Sequence, residues 1–106
     1  SSLTLSDRRL LEIARAIAAA PKLMLLDEPM AGLNATEIEE MKAVIRRARD
    51  DMGISVLWVE HKVDAIMQVC DRVAVLDHGE IIADGLPKDI IRNSKVIEAY
   101  LGQPSS

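Results

Sequence analysis

Apolar and polar positions along this chain follow two rhythms. After a polar, aperiodic stretch from Ser1 to Asp7, apolar residues recur at helical spacing from Arg8 to Ala20. Leu10, Ile13, Ala14, Ile17 and Ala18 make one stripe, Ser6 or Asp7 is placed to cap the first turn, and Pro21 ends it. Leu23-Met24-Leu25-Leu26 breaks that rhythm with a continuous apolar run stopped by Asp27-Glu28-Pro29. Such a run predicts a strand buried on both faces, as in parallel sheets. Asn34 and Glu37 then form an N-x-x-E capping arrangement for a second helix. Ile38, Met41, Val44 or Ile45, and Ala48 are its predicted buried face. Glu39, Glu40, Lys42, Arg46 and Arg49 are its predicted wet face, and Gly53 is a left-handed C-terminal cap.

Ile54 to Val59 predicts a second buried strand, ending in Glu60-His61. Strand, helix and strand over this span form a βαβ crossover, with parallel strands and right-handed connection. A short helix is expected from Val63 to Val69. Arg72–Leu76 and Glu80–Ala83 flank Asp77-His78-Gly79 as a hairpin. Gly85-Leu86-Pro87 opens a short helix around Lys88 to Arg92, and Val96, Ile97, Tyr100 and Leu101 mark a last helical turn or two before a frayed tail, Gln103 to Ser106. The expected class is α/β: βαβ parallel strands, a C-terminal hairpin and short helices.

Composition narrows the function. The 106 residues make at most one domain. There is no Phe, and the aromatics are Trp58 and Tyr100, so the core must be aliphatic. Thirteen basic and 17 acidic side chains give a net charge of −4. No basic block stands out, which argues against nucleic acid as a partner. Arg8-Arg9 and Arg46-Arg47-Arg49 are read as solvated helix faces. The single Cys70 excludes an internal disulfide, fits a reducing compartment and is expected to be a buried small apolar residue. No signal peptide or membrane-spanning run is recognisable.

The chemistry is expected at the strand ends. Parallel sheets carry their working residues at the carboxyl ends of strands, where Asp27-Glu28 and His61 fall. If the strands are neighbours, carboxylates and imidazole meet at one sheet edge. That grouping suits phosphoryl transfer to water: an aspartate on hydrated Mg²⁺, a glutamate polarising the water, a donor on the γ-phosphate. The bland alternatives are a strand-end turn and a histidine bonded to a backbone carbonyl. Metal capture without nucleotide lacks a second histidine at ligand spacing. No Gly-x-Ser-x-Gly turn supports a serine hydrolase. His78 is read as a turn residue.

Several segments together resemble a known family. Leu23-Met24-Leu25-Leu26-Asp27-Glu28-Pro29 resembles the Walker B segment of ABC-type ATPases. Ala31-Gly32-Leu33-Asn34 stands in the place of their D-loop and His61 in that of the switch histidine. Arg9 to Ala16 is similar to the helix after their signature, and Asp71 to Gly85 to their closing strand pair. Val96 to Gly102 is similar to the ending of branched-chain amino-acid importer ATPases. The resemblance implies a partial P-loop NTPase fold, with ATP and Mg²⁺ as ligands of the complete domain. Asp27 would assist Mg²⁺, Glu28 would be the general base and His61 would sense the γ-phosphate. Ala31, Gly32, Leu33 and Asn34 would contact a second ATPase subunit. It further implies membrane permease subunits as partners, and a cytoplasmic place on the inner face of the cell membrane.

Two departures shape the expectation. The signature position falls on Leu3-Thr4-Leu5-Ser6-Asp7, where the family usually has Leu-Ser-Gly-Gly-Gln, so Thr4, Leu5, Ser6 and Asp7 form a degenerate site for the partner's ATP. Glycines there let backbone N–H groups approach phosphate. No G-x-x-x-x-G-K-[ST] occurs within the 106 residues. The chain is expected to be the C-terminal portion of an ABC ATPase domain, residues 1–106, without the Walker A half and inactive alone. With the phosphate-loop strand missing, apolar strand edges predict self-association, strand exchange or dependence on the missing half. The alternative is a non-catalytic module pairing with a complete ATPase. A chromosome-maintenance head is disfavoured by the absence of heptad repeats and by the acidic charge.

Overall fold

The computed structural model describes residues 3–61 and 63–100 and comprises two compact units, residues 1–62 and 63–106. The first contains α1 (Leu5–Ala18), β1 (Leu23–Asp27), α2 (Ala35–Asp50) and β2 (Ser55–Val59); the second contains α3 (Val63–Val69), β3 (Val73–Asp77), β4 (Glu80–Gly85), α4 (Pro87–Ile90) and α5 (Ser94–Ala99). Leu101 and the expected tail lie outside the described residues. Among the described residues no helix is long and apolar enough to cross a membrane.

In the first unit β1 and β2 are parallel, with Leu23 opposite Ser55, Leu25 opposite Leu57 and Asp27 opposite Val59. The expected crossover is present. Its helix α2 begins with the capping box read from sequence: Asn34 Oδ1 accepts the Glu37 N–H at 2.9 Å and Glu37 Oε1 accepts the Asn34 N–H at 3.0 Å. These bonds satisfy donors that a helix start leaves orphaned. Gly53 is left-handed, with φ 66°. Met41, Ile45 and Ala48 are buried on α2, and Ile13 on α1.

Four expectations are corrected here. Helix α1 starts at Leu5 rather than Arg8, and Thr4 rather than Ser6 or Asp7 caps it: Thr4 Oγ1 accepts the Asp7 N–H at 3.0 Å and Asp7 Oδ2 accepts the Thr4 N–H at 3.3 Å. The polar opening stretch had hidden a capping box one turn earlier. Strands β1 and β2 are buried on one face only. Met24 and Leu26 are buried, whereas Leu23, Leu25, Leu57 and Val59 are each more than half exposed. The registered strands put those four side chains on the same face, which nothing among the described residues of this unit covers. Lys42, read as a wet-face residue, is 3% exposed and paired with Glu39, its aliphatic stem lying along the buried side of α2. Arg9, read as part of a solvated face, reaches the loop after β1.

In the second unit β3 and β4 form the expected antiparallel hairpin, with Asp77 paired to Glu80 and only His78-Gly79 in the turn. Both turn residues have positive φ, 51° and 79°, as a type I′ turn demands. A register shift between Val75 and Leu76 leaves Ile82 as the extra residue of a bulge. Val73, Ile90 and Val96 form this unit's core, with Cys70 packed against it but only partly buried.

The two sheet faces should respond differently to substitution. In the 106-residue chain, Met24→Ala should cost about 2–4 kcal/mol in urea denaturation, and Leu25→Thr within about 0.5 kcal/mol. Equal costs would mean that the second face is covered.

Candidate active site

The site is built at the carboxyl ends of β1 and β2. After Asp27 the chain leaves the ladder with one last bond, Glu28 N–H to Val59 C=O at 2.7 Å, and turns sharply. Glu28 has φ 47°, left-handed for a residue with a β-carbon. The Ala31 N–H closes the turn on the Glu28 carbonyl at 3.2 Å. This geometry aims the Glu28 side chain at the end of β2, where His61 Nε2 lies 2.9 Å from Glu28 Oε1. With its proton on Nε2 the imidazole donates to the carboxylate. The two side chains are 83% and 41% exposed. An exposed pair of this kind contributes at most about 1 kcal/mol, comparable to the cost of a left-handed non-glycine, about 1 kcal/mol or more. The contact therefore does not hold itself together. The backbone around it must.

Two residues that the sequence reading passed over supply that support. Glu60 Oε2 accepts the Met30 N–H at 2.9 Å and the Trp58 indole N–H at 3.4 Å, while its Oε1 accepts the His61 N–H at 3.0 Å. From α1, the Arg9 guanidinium donates to the carbonyls of Pro29, at 3.0 Å, and Ala31. Glu60 had a sequence signal, as a carboxylate ending an apolar strand beside a candidate histidine. Arg9 had none, because its position on α1 looked like any solvated arginine.

The remaining sequence-predicted residues divide clearly. Asp27 ends β1 with an exposed carboxylate, a hard oxygen donor open to solvent. Among the described residues no group of three or more His, Cys, Asp or Glu side chains is assembled to hold a metal. That donor set fits an ion that keeps its waters and takes one protein carboxylate, as Mg²⁺ beside phosphates does. Ala31, Gly32 and Asn34 are exposed on the loop, but Leu33 is 7% exposed and turned inward, and the Asn34 side chain is committed to capping α2. Thr4 and Asp7 are occupied with each other at the start of α1. Ser6 is 4% exposed, so its hydroxyl is not an open donor. Leu5 lies against the loop: a β-carbon on Gly32, whose φ is 78°, would stand 3.1 Å from Leu5 Cδ2. The Thr4–Asp7 segment and the loop after β1 are thus in contact.

Residues 80–104 match the family described as branched-chain amino acid ATP-binding cassette transporter. Over 102 residues the chain is 40% identical to the high-affinity branched-chain amino acid transport ATP-binding protein BraF of Pseudomonas aeruginosa, covering 96% of this chain and 40% of that protein. It is 41% identical over 102 residues to the lipopolysaccharide export system ATP-binding protein LptB of Escherichia coli, covering 96% of this chain and 42% of LptB. A crystal structure of an ATP-binding cassette of an ABC transporter in its ADP conformation superposes with a TM-score of 0.82 at 30% identity, covering 96% of this chain and 41% of that one. The chain spans about two-fifths of the length of the relatives it matches.

Gly32 offers a direct check of the loop. Gly32→Ala combines a left-handed backbone with a close approach to Leu5 and should destabilise the chain by about 1–2 kcal/mol. An unchanged urea midpoint would show that the loop does not adopt this conformation.

Proposed function

We propose that this chain is the C-terminal part of an ABC-type ATP-binding cassette and supplies the hydrolytic half of an ATP site that powers transport of branched-chain or related amino acids. The observation that carries this reading is the Glu28–His61 contact at 2.9 Å, formed at the ends of adjacent parallel strands. In the proposed reaction Glu28 accepts a proton from the attacking water as its oxygen bonds to the γ-phosphorus, and ADP departs with the electron pair of the broken P–O bond. The His61 Nε2–H turns from Glu28 to a γ-phosphate oxygen, which leaves the Glu28 carboxylate open to the water. Asp27 would hold hydrated Mg²⁺, which would neutralise the charge developing on the phosphates. The exposed part of the loop, Ala31 and Gly32 with the backbone of Asn34, faces a second ATPase subunit. Permease subunits complete the assembly on the inner face of the membrane. The solute assignment leans on the named function of BraF, and the comparable identity of LptB places an export system among the relatives.

A second reading is favoured by the start of α1. There Asp7 already occupies the helix N-terminus with a carboxylate, and Leu5 stands where a phosphate would need bare backbone. On that reading the chain is a non-catalytic module that pairs with a complete ATPase. Adding a Walker A half and measuring ATP turnover separates the two.

Two outcomes test the leading reading. Glu28→Gln in the protein that completes the nucleotide site should abolish turnover, by at least about 100-fold, while ATP binding persists; unchanged turnover would remove Glu28 as the base. Titration calorimetry on the 106 residues alone should find no significant Mg-ATP affinity, because no Gly-Lys phosphate loop occurs within them. Tight binding would show that no such loop is needed.

A further inference from the structure

We propose that Glu60 and Arg9 are positioning residues that clamp the Glu28–Ala31 turn from its two sides and thereby set the Glu28–His61 contact. The turn's backbone is fully committed. Pro29 has no N–H, and its carbonyl takes Arg9 at 3.0 Å. The Met30 N–H goes to Glu60 at 2.9 Å, and the Met30 carbonyl receives the Leu33 N–H at 3.1 Å. The Ala31 N–H returns to Glu28 at 3.2 Å, and the Ala31 carbonyl takes Arg9. The Met30 side chain is completely buried. A left-handed Glu28 persists only where its surroundings over-determine it, and these bonds are what surround it.

Glu60 is suited to this work and not to proton transfer. Both of its oxygens accept N–H groups, one from His61 and the other from Met30 and Trp58. A glutamine would offer a single oxygen and turn an NH₂ toward one of those donors. Because the same carboxylate holds the Met30 amide of one strand's loop and the His61 amide of the next strand, it ties the two catalytic candidates to a common point. Arg9 adds the opposite grip from α1, whose first turn carries Thr4 to Asp7. The start of that helix and the hydrolytic pair are thus joined through three residues of loop. The consequence for turnover rests on the ATP-hydrolysis reading; the clamp itself does not.

The experiment has two arms. In the 106-residue chain, E60Q and R9M should each speed amide hydrogen exchange at Met30 by about tenfold or more, leaving Met41 and Ile45 of α2 within about twofold. E60D, which keeps two acceptor oxygens, should lie closer to wild type than E60Q. In an ATP-hydrolysing protein containing this chain, E60Q should lower kcat by about tenfold or more, with the KM for ATP changed by less than about twofold. Unchanged Met30 exchange, a rise spread equally over α2, or a raised KM at constant kcat would each overturn the proposal. Absence of wild-type turnover would remove the ATP reading, and the exchange arm would still decide the clamp.

Discussion

Everything at the candidate site depends on the parallel register of β1 with β2. Pairing Asp27 with Val59 brings the two strands to an end at the same level, so that the residues just beyond them, Glu28 and His61, emerge side by side. A slip of one residue would send each alternate side chain to the other face and carry Met24 and Leu26 out of the core. Burial of those two side chains therefore fixes the register, and the register fixes the Glu28–His61 contact. The Glu28–His61 contact contributes little to either. It is a product of the strand pairing rather than a cause of it.

Around that register the molecule uses short-range devices to control where backbone leaves the sheet. Helix α2 starts where Asn34 and Glu37 exchange hydrogen bonds, which limits how far the loop can wander before the chain becomes helical again. Helix α1 begins with the same kind of box at Thr4 and Asp7. The segment between β1 and α2 is thus short and held at both ends. Away from the site, Asp50 is held below the usual carboxylate range by its hydrogen bond to neighbouring Arg49, with Arg49 and Arg46 charges adding to the effect.

Much of this was legible in the sequence because it is written in local patterns. The βαβ unit, the capping box at Asn34, the α3 span and the His78-Gly79 turn each rest on residue types with a specific backbone preference. That Glu28 and His61 would meet followed from the strand ends once the strands were taken as neighbours; Asp27 is not part of that contact. What was not legible depended on partners. A continuous apolar run cannot say whether both faces of a strand are covered, and in β1 and β2 one is left uncovered by the described residues of its own unit. Lys42 and Arg9 carry the same charge as solvated neighbours, and only the fold shows that one is buried along its stem and the other spans 20 residues to Pro29. Glu60 lay in plain sight between a strand and a histidine, but the Met30 N–H that it holds comes from 30 residues away.

The left-handed conformation of Glu28 sets a limit on how this segment can be improved. Glycine or asparagine would relax that backbone, and either would discard the carboxylate. Selection for foldability alone would therefore erase the site at its first step. A carboxylate at φ 47° sits where a residue with a β-carbon is strained, and any redesign that scores only thermal resistance will tend to replace it.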